Sequence, residues 1–367
     1  MPDFILTTCG TSLLTYKADD AIRQLVGRCA NATTDTIAAE DRTALERLGE
    51  ARREALRIGF EPTAKMNAEL NGFIRLHGGD FSAEAKRREI HLFLASDTFI
   101  GRLTRDLAME WLRNQGFEQV SPLDVPGLRT SSLGEFRLGA TELIESVDSI
   151  LRAQRQAGHV CRFNLTGGFR SVNAFLQMLG ALWADEVFFV FEASRELIRI
   201  PRLPIRLDIE GAVREHLDLI RRLSAIGQVP APEGRALPDG FCLEDDGQLG
   251  LSPWIEALFR ARRPALYEER VWPPWTDKVV FGPKLEASFE SLAPQRRRLL
   301  NERVDDLCRY ALTSQALRRL DLNALKGGPR QGSTHEADAW ADGGAQRLFL
   351  HRDGARWVVD RLDDALH

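Results

Sequence analysis

Five short apolar runs alternate with helix-length segments through the first 200 residues, and this alternation constrains the fold more than any other feature. The runs are "DFILTT", "EIHLFL", "FEQVSPL", "HVCRFN" and "DEVFFVF". Amphipathic stretches follow the second, third and fourth: "TFIGRLTRDLAMEWLRNQGF", which Gly116 stops, "LGATELIESVDSILRAQRQAG", and "FRSVNAFLQMLGALWA". Strands separated by helices do not pair as hairpins. They predict a parallel sheet with helices on both faces. The stretch from Ala18 to Phe81 sets Leu45, Leu48, Ala51, Ala55 and Ile58 at helical spacing.

Beyond residue 200 the rhythm changes. "RIPRLPIRLDIE" carries two prolines. A helix is predicted over "AVREHLDLIRRLSAIG", then a hairpin turning at Asp246-Gly247, then a helix opening near Ser252-Pro253. Helix, hairpin and helix in so short a space predict a winged-helix-like connector over 201–275. "VWPPWTDK" is a Pro-rich junction. The last segment, 276–367, reads as a strand, two helical stretches and an antiparallel meander turning at Asp342-Gly343-Gly344 and Asp353-Gly354. The expected domains are therefore 1–200, 201–275 and 276–367.

An apolar fraction of 44% is enough for real cores. A net charge of −4 excludes a broadly basic nucleic-acid binder and leaves room for a local cationic site. Cys9, Cys29, Cys161, Cys242 and Cys308 are scattered, with no CxxC pair, so no metal site is expected. An odd, dispersed set suits a reducing cytoplasm. The N-terminus lacks the basic flank and apolar core of a signal peptide. No apolar run approaches about 20 residues, so no membrane segment is expected.

Two strand ends carry the chemistry of the first 200 residues. "TTCGTS" ends the first strand and "NLTGG" the fourth. Glycines let backbone approach a ligand, and their N–H groups with a helix N-terminus favour an anion. Thr11, Ser12, Asn164 and Thr166 add neutral donors, and Arg170 adds charge. No GK[ST] follows either glycine turn, and the dinucleotide spacing fails. Neutral donors suit phosphodiesters better than a triphosphate.

"FILTTCGTSLLT", followed far downstream by "FNLTGGFRSVNAFLQMLGALWADEVFFVFE", resembles the CRISPR-associated Rossmann-like sensor domain called CARF. The resemblance covers about residues 1–200. It implies an α/β Rossmann-like parallel sheet and a homodimer that binds cyclic oligoadenylate across its twofold axis, cyclic tetra-adenylate first. A ring of identical units fits a symmetric pocket. The ligand residues it implies are Cys9, Gly10, Thr11 and Ser12, then Asn164, Thr166, Gly167, Gly168, Phe169 and Arg170. Relatives that also cleave the ring use a Ser or Thr of the first motif and a Lys of the second. Here the pair is Ser12 and Arg170.

The second chemical region lies near the C-terminus. "LDLNALKGGPRQG" is a basic, glycine-broken turn with Lys326 and Arg330. "GAQRLFLHRDG" carries Arg347, His351 and Arg352, and "ARWVVDRLDDALH" carries Arg361. Cleavage of RNA by its own 2′-OH needs a proton acceptor, charge stabilisation at phosphorus and a proton for the leaving oxygen. Arg and Lys supply charge, and a histidine supplies the proton.

The order of these elements resembles the RelE family of toxin ribonucleases. That resemblance implies a C-terminal α+β domain with an antiparallel sheet that cleaves mRNA in the ribosomal A site without a cofactor. By position it assigns Lys326 to the turn lysine, Arg347 to the penultimate-strand arginine and Arg361 to the cation of the last strand. The family's late tyrosine is missing, and His335, His351 and His367 remain open as its replacement. Residues 276–367 hold 15 Lys and Arg against 14 Asp and Glu. A near-neutral balance fits an enzyme to which the ribosome presents the substrate. Two alternatives stay open: a ligand-controlled DNA-binding regulator, and a ring nuclease whose C-terminal part is structural.

Overall fold

The computed structural model describes residues 2–191, 196–204, 209–234, 236–315, 317–326, 328–342 and 344–364. Gly343 and His367, named above, and the first glycine of "LKGG", Gly327, lie outside the described residues. The chain forms two compact units, 1–207 and 208–367.

In the first unit the five predicted strands form. They are β1 (Asp3–Thr8), β2 (Ile90–Leu94), β3 (Gln119–Leu123), β4 (Val160–Asn164) and β5 (Glu186–Val190). The sheet order is β3-β2-β1-β4-β5-β6, all parallel but for β6 (Leu197–Pro201), which runs antiparallel to β5. This is the strand order of doubly wound nucleotide-binding sheets. The β6 strand was not expected. Its sequence ends in Pro201, and a proline fits only where no further neighbour needs its N–H, at an edge. β1 is central, and its Phe4, Ile5 and Leu6 are buried on both faces. Across the sheet Asp3, Arg162, Glu186 and Arg199 form a ladder of ion pairs, with Arg199 3.2 Å from Glu186.

The Ala18–Phe81 stretch folds into four helices, Asp20–Arg28, Ala39–Ala55, Phe60–Met66 and Ala68–Leu76. An aromatic cluster fixes the last two against the helix Phe99–Asn114. Phe73 meets Phe117 edge-on at 5.1 Å and Trp111 at 6.4 Å, and Phe60 meets Phe81 at 4.9 Å. Such pairs add roughly 0.5–1.5 kcal/mol each beyond their burial.

In the second unit, helices Ile209–Glu215, Leu217–Ile226 and Pro253–Glu269 surround a small sheet of β7 (Val229–Pro230), β8 (Cys242–Asp245) and β9 (Gln248–Leu251). The predicted hairpin is present. Asp246 and Gly247 both have positive φ (48° and 72°), as a two-residue turn of this kind requires. Five further strands build the second sheet: β10 (Val279–Phe281), β11 (Asn323–Ala324), β12 (His335–Trp340), β13 (Gln346–Asp353) and β14 (Arg356–Asp364).

The meander β12-β13-β14 is antiparallel as expected, but the sheet is not wholly so. β10 joins the free edge of β14 in parallel. A parallel neighbour needs a crossover, and the helix Pro294–Thr313 lies in the connection after β10. That helix covers one face of the sheet, burying Leu300, Val304 and Leu307 against Leu348, Leu350 and Val359.

The expected connector and C-terminal segment share one compact unit. Helices Leu217–Ile226 and Pro253–Glu269 both pack on Pro294–Thr313. Arg221, fully buried, reaches Asp305 at 2.8 Å. Tyr267 Oη and Trp275 Nε1 also donate to Asp305, the latter at 2.9 Å. A buried charge pair persists only with this degree of hydrogen bonding.

Candidate functional site

β1 and β4 lie side by side. From this pair β2 and β3 extend to one side, and β5 and β6 to the other. That is the switch point outside whose strand ends open α/β sheets bind ligands. Both glycine turns reach it. A Cβ on Gly10 would stand 3.0 Å from Gly168 N, so the two turns touch through backbone. Thr8 Oγ1 donates to Gly167 O at 2.6 Å, and Asn173 Nδ2 donates to the same carbonyl at 2.8 Å. Gly168 has φ +104°, and a Cβ there would crowd Thr8 Oγ1 at 2.8 Å. The second glycine is required by conformation and by space alike.

The helix Ala68–Leu76 closes one side of this crevice. Asn67 caps it, accepting from Leu70 N at 2.7 Å. Glu69, only 1% exposed, accepts the N–H of Gly10 and, at 3.2 Å, the hydroxyl of Ser12. Asn164 Nδ2 donates to Glu69 O at 2.9 Å, and Thr166 Oγ1 donates to Asn164 Oδ1 at 2.8 Å. Gly72 backs onto Asn164 and Thr166 so closely that a Cβ would collide with both. Burial pushes the Glu69 carboxyl above its usual value, against the lowering pull of the Gly10 and Ser12 hydrogen bonds. A carboxylate of the chain itself thus holds donors that the glycine turn offers an anion.

Beside Glu69 lies a pocket of about 520 Å³ whose wall includes Ser12, Tyr16, Lys65, Asn71, Arg75 and Thr166. Lys65 is exposed, and Arg75 is half-buried and paired with Glu61 at 2.9 Å. Sequence reasoning missed Lys65, Glu69, Asn71 and Arg75. The available signal was Gly72 in mid-helix, since a glycine there marks a close approach.

Of the expected ligand residues, Gly10, Ser12, Asn164, Thr166, Gly167 and Gly168 converge on the crevice. Thr11 precedes the short helix Ser12–Thr15, and its carbonyl accepts from Leu14 N at 3.0 Å. Cys9 is buried in a core cluster with Leu13 and Leu56, and burial raises its thiol pKa, so it faces the crevice with backbone alone. Phe169 lines a separate narrow crevice with Asn31, Thr130 and Phe136. Arg170 is exposed at the start of the helix Arg170–Trp183.

In the second unit the sheet sorts the expected catalytic residues onto two faces. Residue pairs across β12-β13-β14 place Ala337, Leu348, Leu350 and Trp357 on the helix-covered face. His335 and Arg352 belong to that side. His335 meets the Trp357 ring edge-on at 5.0 Å, and Arg352 stacks on it at 4.3 Å. Burial, then the nearby Arg352 charge, lowers the His335 pKa.

By strand alternation Arg347, Phe349 and His351 face the other way, with Glu336, Asp338 and Arg361. Arg347 is ringed by Asp321 at 2.8 Å, Asp338 at 3.1 Å and Glu336 at 3.2 Å. Arg361 lies 4.4 Å over the Phe349 ring. His351 Nδ1 is 2.9 and 3.0 Å from the two oxygens of Asp360. Lys326 and Arg330 are exposed in the loop between β11 and β12, which Arg330 and Ser333 close with paired backbone hydrogen bonds. Sequence reasoning missed the carboxylates beside Arg347 and His351.

Among the described residues no group of His, Cys, Asp and Glu is arranged to hold a metal, and no helix is long and apolar enough to cross a membrane. No curated protein matches the chain. Residues 64–203, which run from the helices beside the crevice through β6, are similar to the family model described as CRISPR-associated protein (Cas_APE2256).

Proposed function

We propose that this chain is a ligand-controlled ribonuclease of CRISPR type III defence. Its first unit takes a cyclic oligoadenylate, cyclic tetra-adenylate first, between two copies of the chain. Its second unit then cleaves mRNA in the ribosomal A site and stops translation. One observation carries the sensor half: the "TTCGTS" and "NLTGG" turns meet at the switch point of the parallel sheet, with Gly10 and Gly168 in contact. The crevice presents glycine backbone and hydroxyls, with Glu69 holding the Gly10 N–H and the Ser12 hydroxyl, and Arg170 adds an exposed cation at a helix N-terminus. A cation there opposes the helix dipole, which an arriving phosphate relieves. The family match over 64–203 supports the CRISPR setting. The nuclease half is supported by the grouping of Arg347, His351 and Arg361 on one sheet face. Ligand activates by favouring one arrangement of the dimer over another.

The test is a translation assay with and without cyclic tetra-adenylate. Codon-phased mRNA cuts that need both ligand and ribosomes are expected. Equal cutting of free RNA would end the A-site reading.

A second reading has one observation behind it. Ser12 Oγ donates to Glu69, a carboxylate whose proton affinity burial has raised. A hydroxyl and a proton acceptor beside a bound phosphodiester are the parts of a ring nuclease. Slow loss of cyclic tetra-adenylate that stops in Glu69→Gln would place that activity in the first unit.

A further inference from the structure

The second sheet contains a built proton-transfer pair. Phe349 pairs with Arg361 and Leu350 with Val359, so Asp360 is an extra residue in β14. A bulge of this kind re-aims a side chain and is common beside active sites. Here it sets the Asp360 carboxylate against His351 Nδ1. A carboxylate at that nitrogen fixes the tautomer with hydrogen on Nδ1 and leaves the Nε2 lone pair outward. The His351 side chain is 34% exposed, enough for a substrate to reach it.

Asp360 is itself held from behind. Ser333, fully buried, donates to Asp360 Oδ2 at 2.7 Å, and Arg361 Nη1 donates to Ser333 Oγ at 3.0 Å. A solvated surface pair gains little from ordering its side chains. A backing hydroxyl and a guanidinium instead give the imidazole one orientation. The other expected groups are differently placed. His335 packs against Trp357 with Nδ1 2.8 Å from the Thr334 hydroxyl, and Arg347 is surrounded by carboxylates. Asp360 on β14 is the charged group in contact with the His351 ring. Ser333 from the preceding loop and Arg361 act through it.

We propose that His351 is the catalytic residue that moves the proton in RNA cleavage by this unit, with Asp360 as its positioning residue. The inference rests on the ribonuclease reading. Nε2 takes the 2′-OH proton as O2′ bonds to phosphorus. The P–O5′ bond breaks, and the imidazolium returns a proton to O5′. The products are a 2′,3′-cyclic phosphate and a 5′-hydroxyl, and no co-reactant is consumed.

The test measures cleavage of ribosome-bound mRNA in the presence of cyclic tetra-adenylate by the full-length protein. His351→Ala should lose about 100-fold or more, the usual scale for a positioned acid–base group. Asp360→Asn should lower kcat about 10-fold or more at unchanged KM and move the acidic limb of the pH profile. Nitrogen-15 NMR of the wild-type protein should find hydrogen on Nδ1 of His351. Folded variants that cut within twofold of wild type, or a wild-type ring protonated on Nε2 alone, would overturn the assignment while leaving the nuclease reading intact. A wild-type protein that cuts nothing under these conditions removes both.

Discussion

The crevice of the first unit and the exposed face of the second sheet are made of different material. The crevice is backbone and neutral hydroxyls, shaped by glycines that have no room for a side chain, with one buried carboxylate among them. The second unit is held and equipped by ion pairs, from the buried Arg221–Asp305 contact to the carboxylates around Arg347. A site made of backbone recognises shape and resists charge mutation. A site made of paired charges is poised for proton transfer and sensitive to every partner removed.

The largest expected effect sharpens that contrast in the second unit. Asp305→Ala leaves Arg221 buried without its carboxylate and should cost about 3–5 kcal/mol in urea unfolding of that unit. A loss under about 1 kcal/mol would mean the pair is dispensable, and the contrast with the backbone-built crevice would fail.

Next is Gly72→Ala in the first unit, whose added methyl meets Asn164 and Thr166. Overpacking of this kind costs roughly 1–3 kcal/mol. Thermal unfolding should register it, and the crevice should lose ligand through the displaced Asn164. An alanine variant as stable as wild type would show that the helix Ala68–Leu76 is not seated as described.

The smallest effect concerns Glu69. Its carboxyl titrates above the usual value because of burial, so the folded state binds the proton more readily than the unfolded chain. Stability linked to this group is full below the ordinary value of 4.5 and is lost as pH rises through the raised folded value. Urea unfolding from pH 4 upward should show that decline in the wild type and a flatter profile in Glu69→Gln. Parallel profiles would show that the carboxylate is no less comfortable inside the crevice than in water.

The strands and glycine turns of the first unit were legible because each is a local signal: an apolar run, small polar residues, then a helix pattern. Ser12 and Gly168 were found that way. Lys65, Asn71 and Arg75 were not, because their place beside Ser12 depends on Phe73 packing against Phe117 and Trp111, a long-range contact no window of sequence contains. In the second unit the meander and its Asp353-Gly354 turn were legible, while the face assignment was not. The side that His335 takes relative to Arg347 and His351 depends on strand register. Asp360 depends on a bulge, a one-residue slip that the alternation of "RWVVDRL" does not announce. The strand β10 was expected but its parallel pairing was not, since its three residues find their partner some 80 positions later.

The Arg221–Asp305 contact also bears on how this protein can be taken apart. The boundary suggested by the Pro-rich "VWPPW" stretch falls between the two partners, so a fragment beginning at residue 276 would keep Asp305 and discard Arg221, Tyr267 and Trp275. Such a fragment strips Asp305 of those three donors and uncovers the side of the helix Pro294–Thr313 on which Leu217–Ile226 and Pro253–Glu269 pack. The C-terminal meander is therefore not a detachable cartridge. Grafting it onto another protein, by recombination or by hand, requires carrying the helix Leu217–Ile226 along.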